Sequence, residues 1–186
     1  MPPEEKPIWE IIPQLSAELL RLAPGAVARL RRMDTNGPGE MDYWDLASRC
    51  GFLQKPFEKW TQVVKIMAIL TLRSEPGRRG TLHDANRPFG TVLCDGGNSG
   101  WRDEQPFVSE TRLARFLALS FDRRGEALEG MARMLASSRD PQTGINCIDV
   151  ACLLLSDDTK FTRKLAETYY RRLDSVRTAQ REVPAA

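Results

Sequence analysis

Apolar residues recur three and four positions apart in one segment after another, and they scarcely ever alternate. That period places them on one stripe of an α-helix, so the chain is predicted to be all-α. The clearest segment is Pro56 to Leu72, where Phe57, Trp60, Val63, Val64, Met67 and Leu70 share a face. Ile8 to Leu22 forms a first helix with Ile8, Ile11, Ile12, Leu15, Leu19 and Leu22 in line, and Pro13 falls near its first turn or kinks it. Pro24 suits the first turn of a second helix, in which Ala26, Val27, Leu30 and Met33 face inward. After the turn DTNGPGE, a short helix from about Asp42 to Cys50 is anchored by Tyr43, Trp44 and Leu46.

The second half reads in the same way. Ser109 can cap a helix carrying Leu113, Phe116 and Leu117 inward, and another runs from about Arg123 to Ser138. Asn146 can cap the apolar segment Cys147 to Leu155. Asp158 or Thr159 starts a last helix with Phe161, Leu165, Tyr169, Leu173 and Val176 in one stripe, and the tail after about Gln180 is expected to fray. Between the halves, Arg73 to Pro106 is dense in glycine and proline, with a brief helix expected at Phe89 to Leu93. The expected architecture is two packed helical bundles, residues 1–86 and 87–186, joined by this long Gly/Pro-rich loop.

Chemistry-bearing residues are sparse. The one histidine, His83, lies in the glycine-rich stretch, read as flexible. There is no G-x-S-x-G elbow, P-loop or H-E-x-x-H. Asp157-Asp158 reads as a helix start rather than a metal pair, and Gly96-Gly97 as a plain turn. Cys50, Cys94, Cys147 and Cys152 form no C-x-x-C, so no zinc site, no cofactor and no enzymatic activity are expected. Free thiols without a signal-peptide pattern point to the cytoplasm, and no run approaches the roughly 20 apolar residues of a membrane span.

Basic residues instead recur on the polar faces of the helices. Arg29, Arg31 and Arg32 fan across the second helix, Lys59 and Lys65 lie on the fourth, and Arg112, Arg115, Arg123 and Arg124 follow the loop. Lys160, Arg163, Lys164 and Arg171 line the last helix. A guanidinium fork fits phosphate oxygens and keeps its charge at any working pH. The net charge of +2 does not by itself imply a polyanion partner, so that reading needs the basic faces to converge in space. The plain alternative is solvated faces laced with carboxylates, such as Glu167 for Arg163 and Glu126 for Arg123. Trp9, Trp44 and Trp60 fit core packing better than base stacking, whereas Trp101, beside Arg102 and glycines, is placed for a surface contact.

Three segments in succession resemble the CasB-type small subunit of the type I-E CRISPR Cascade complex. PGAVARLRRMD (Pro24 to Asp34) is similar to that family's helix ending in a double arginine, RPFGTVLC (Arg87 to Cys94) to its short segment with a central glycine, and INCIDVACLLLSDD with AETYYRR to its last two helices. Asp95 to Phe107 looks inserted relative to the family. The resemblance implies a non-catalytic, all-helical subunit of two bundles. It implies crRNA and target DNA as partners, with a basic surface along the guide–target duplex and the displaced strand of the R-loop. It implies contacts with the Cascade backbone and large subunits and with a second copy of the chain. Arg31 and Arg32 match the family's double arginine. A helical adaptor that only bridges proteins is the alternative; a helix-turn-helix regulator lacks the tight turn before a polar recognition helix.

Overall fold

The computed structural model describes residues 6–103 and 105–181; the expected fraying beyond Gln180 falls, from residue 182 on, outside them. The protein is all-helical. Its helices are α1 (Ile8–Arg21), α2 (Pro24–Arg32), α3 (Met41–Cys50), α4 (Phe57–Leu70), α5 (Phe89–Asp95), α6 (Glu110–Leu117), α7 (Arg124–Ser138), α8 (Cys147–Leu155) and α9 (Thr159–Arg181), with a 3₁₀ turn at Phe121–Arg123 before α7. Among the described residues the one β contact is an isolated parallel bridge between His83 and Ile145. No helix among them is long and apolar enough to cross a membrane.

Local rules account for most helix ends. Pro24 opens α2, where its missing N–H costs nothing. Ser109 Oγ accepts from Arg112 N, Asn146 Oδ1 from Ile148 N and Asp158 Oδ1 from Lys160 N, each meeting an orphan donor of a first turn. α3 closes on Gly51 at φ 83°, a left-handed conformation that suits glycine. Pro13 stands one turn deeper in α1 than expected, yet the helix runs on. The carbonyl that loses its bond belongs to Trp9, which is 68% exposed and open to solvent.

One hydrophobic cluster runs from Ile11 to Leu173, through residues of both 1–86 and 87–186. α1 packs on α8, and α4 packs on α1, α2, α7 and α8. α4 therefore departs from the one-sided stripe: Thr61, Ile66, Ala68 and Ile69 are buried along with the expected Trp60, Val63, Val64, Met67 and Leu70, while Phe57 is partly buried. Trp60 stacks on Phe52 at 4.7 Å inside the core. Two tryptophans expected there lie elsewhere. Trp9 is on the surface, and Trp44 is half out, stacked on Phe57 with its indole N–H given to Pro38 O at 3.1 Å.

The Gly/Pro-rich stretch is tied down at many points. Its short helix α5 is buried and lies against α9; a Cβ on Gly90 would sit 2.1 Å from Leu165 O, so this approach requires glycine. Arg79, only 2% exposed, donates to the carbonyls of Leu19, Leu20 and Ser74. Arg139 donates to those of Leu70, Thr81 and Thr143. Asp95, its carboxylate fully buried, receives Arg87 at 3.0 Å and Arg172 at 3.1 Å. His83, read as flexible, is half-buried, and its Nδ1 accepts from Cys147 N at 3.2 Å. Burial lowers its pKa, which keeps the neutral acceptor form in place. Trp101 is likewise held rather than offered: it packs under Arg172, which also donates to its carbonyl.

Candidate nucleic-acid interface

The basic residues singled out from sequence fall into different places, and their partners differ more than their positions. Arg31 spans from α2 to the end of α4. Its Nε donates to Ala68 O at 2.8 Å and its Nη2 to Thr71 O. These are last-turn carbonyls of a helix that has no basic residue in its own last turn, so Arg31 supplies both a donor and the charge that suits that end. Arg32, next in the chain, is exposed and makes no hydrogen bond or ion pair with any described residue.

Around them a cleft of about 580 Å³ opens between α2, the stretch 72–79 and α7. Arg31, Arg32, Arg73, Arg79 and Arg133 line it, with Glu75 as the sole carboxylate. A smaller hollow of about 320 Å³ shares Arg31, Arg73 and Arg133. Arg73 is exposed and, like Arg32, without a described partner. Arg133 is held at 2.6 Å by Glu129. Burial pushes the Arg31 pKa down, and repulsion from Arg73 and Arg79 pushes it the same way. Ser74 adds a buried hydroxyl with no hydrogen-bond partner. Sequence reading placed Arg73 and Arg79 in the loop but not in a site, and it missed Arg133. The cluster in RSEPGRRG was the available signal for the first two; nothing local marks Arg133.

Four other candidates are engaged within the chain, a correction to their reading as a free basic face. Arg29 turns to Asp42, with Nε 2.8 Å and Nη2 3.3 Å from its carboxylate oxygens. That carboxylate raises the Arg29 pKa. Lys65, on the largely buried α4, keeps only 16% of its side chain exposed and pairs with Glu129 at 3.2 Å. Burial works to raise the Glu129 pKa, but hydrogen bonds from Arg133 and Lys65 outweigh it and the net direction is down. Lys59 lies 4.2 Å from the Phe121 ring centroid and 3.7 Å from Asp122. Arg124 is 6% exposed, 5.5 Å from the same ring and paired with Asp157 at 3.3 Å, while its Nε and Nη1 find no partner. Arg123 stays exposed beside them without the expected pairing to Glu126.

Arg112 and Arg115, on α6, line a groove against a different side of α7. The basic face of α9 is mostly neutralised: Lys160 by Asp158, Lys164 by Asp149, and Arg171 by Glu167, which was expected to serve Arg163. The thiols are poor nucleophiles, since burial pushes Cys50 up to about 11 and Cys94 and Cys147 to about 12. Among the described residues no three His, Cys, Asp or Glu side chains gather as metal ligands. No family model, no curated protein and no solved structure matches the chain. What the cleft offers chemically is several guanidinium forks, two of them unengaged, converging on a space that fits a phosphate group.

Proposed function

We propose that the chain is a non-catalytic small subunit of a crRNA-guided CRISPR surveillance complex, where it stabilises the guide–target duplex and the displaced DNA strand through sequence-independent phosphate contacts. The observation that carries this reading is a cleft lined by five arginines, of which Arg32 and Arg73 have no partner among the described residues. The likeness of PGAVARLRRMD to the double-arginine helix of the CasB-type subunit supports the same place, because Arg31 and Arg32 both line it. Within it the work divides. Arg31 and Arg79 are committed to backbone carbonyls and set the walls; Arg32 and Arg73 are free to reach a sugar-phosphate chain.

Exchange of a DNA duplex for an RNA–DNA hybrid is nearly balanced in free energy, so modest contacts to one strand can tip it. Phosphate contacts add affinity without reading bases, and each one releases counterions. The test is Arg32→Ala with Arg73→Ala in the assembled complex. Target-DNA retention should weaken alike for unrelated sequences, and the slope of log affinity against log salt should shrink by about two. The melting temperature should hold, since neither side chain has an internal partner. Retention that stays the same across a salt series would overturn the assignment.

A further inference from the structure

We propose that the groove between α6 and α7 docks an acidic, amphipathic α-helix from a partner protein. This inference stands apart from the arginine cleft and does not rest on it. The groove has a volume of about 380 Å³ over an apolar floor of Leu119, Ala127 and Met134, backed by the buried Phe116 and Met131. Arg112 and Arg115, three residues apart on α6, stand at its edge. Neither has a carboxylate partner among the described residues; Arg112 Nη1 lies only against Met134 Sδ. An apolar trough edged by two unpaired cations is complemented by an apolar stripe flanked by carboxylates.

Gly130 gives a second, independent reason. It lies inside α7, where glycine is less favourable than alanine. Other glycines are demanded by backbone beside them: a Cβ on Gly90 would meet Leu165 O at 2.1 Å, and one on Gly80 would meet Pro141 O at 1.9 Å. A Cβ on Gly130 would meet nothing within 4 Å. No described neighbour requires glycine there, yet its missing side chain deepens the groove and lets another backbone come close. Methionine walls suit a helix, because the thioether side chain adapts to the residues it meets. Nucleic acid fits less well: the Phe116 ring is buried and presents no open face for a base to stack on.

The full-length chain would be used to select from a displayed library of helical peptides of about 16 residues, some four turns. Selected sequences should concentrate Asp and Glu beside a Leu/Ile/Phe stripe. A synthetic copy should bind about tenfold more weakly to Arg112→Ala/Arg115→Ala, and not measurably to Gly130→Met, which fills the groove. Arg32→Ala/Arg73→Ala should bind it unchanged, so failure here and failure of the nucleic-acid reading are separable. Gly130→Met must keep the native helical signal and melting cooperativity; if it does not, Gly130→Gln serves in its place. An empty selection, peptides without acidic enrichment, or binding indifferent to a folded groove-filling variant would overturn the proposal. So would loss of oligo(dT) binding, rather than peptide binding, in the double arginine variant.

Discussion

The end of α2 and the turn before α7 each gather cations from distant parts of the sequence, and their surroundings send them to opposite ends. At the turn, Lys59 and Arg124 share the Phe121 ring, and Asp122 and Asp157 offset their charge. At the cleft, five guanidinium groups meet Glu75 and, through Arg133, Glu129, and what holds Arg31 is backbone rather than opposite charge. A cation that satisfies carbonyls keeps its charge for a ligand, whereas one paired with a carboxylate spends it inside the fold. The difference lies in which acceptors the tertiary packing delivers, since the residue types are the same.

The largest effect that would break this comparison is on stability. Arg31→Ala leaves the carbonyls of Ala68 and Thr71 at the end of α4 without their donor, and should cost about 2–3 kcal/mol. Urea unfolding measures it directly. A cost below about 0.5 kcal/mol would mean that Arg31 is a free surface cation after all, no different from Arg32. The same result shows why Arg31 is the wrong residue with which to probe ligand binding, despite matching the double-arginine motif.

A smaller effect of opposite sign is expected at the turn. Arg124 is buried with two unpartnered nitrogens, and the carboxylate it meets, Asp157, is largely in solvent. A buried charge so weakly compensated contributes little net stability. Arg124→Met keeps the contact with Phe121 and should leave stability within about 1 kcal/mol of the native chain, on the favourable side. DNA retention in the assembled complex should not change. A loss of several kcal/mol would show that the Asp157 pair holds the turn to the start of α9, and would put the turn and the cleft in the same class.

What could be read from sequence follows the range of the forces involved. Helix positions, the caps at Ser109, Asn146 and Asp158, and Pro24 at the start of α2 are all settled within about a turn of the residue concerned, and all were legible. The buried stripe of α9 was legible too, since it covers one side of a helix. α4 was not, because its second face is buried by α7 and α8 from the other half of the chain. The arginines were least legible of all. Arg31 finds its acceptors 37 and 40 residues away, and Arg79 finds Leu19 O at a separation of 60. No local pattern says whether a polar-face arginine meets a carbonyl, a carboxylate or water. The cleft therefore emerged around the motif that sequence had marked, but with Arg73, Arg79 and Arg133 as members in place of Arg29, Lys59 and Lys65.

The finest test sets Glu75, the carboxylate in the cleft lining, against a carboxylate of the turn. Glu75 is exposed and acts on Arg79, whose pKa burial lowers and Glu75 partly restores. Glu75→Gln removes that offset while leaving the arginine–carbonyl bonds alone. An exposed charge at this range is worth a few tenths to one kcal/mol, so DNA retention should strengthen by about two- to fivefold at low salt. The gain should fade as ionic strength rises and the Debye length falls below the separation of the charges. Asp122→Asn removes a carboxylate of the turn, from Lys59, which the Phe121 ring still holds. If the cleft is where phosphate sits, retention should respond to Glu75→Gln and not to Asp122→Asn. Equal gains from both would make the response a matter of overall charge, and the cleft would have no special claim on the phosphate.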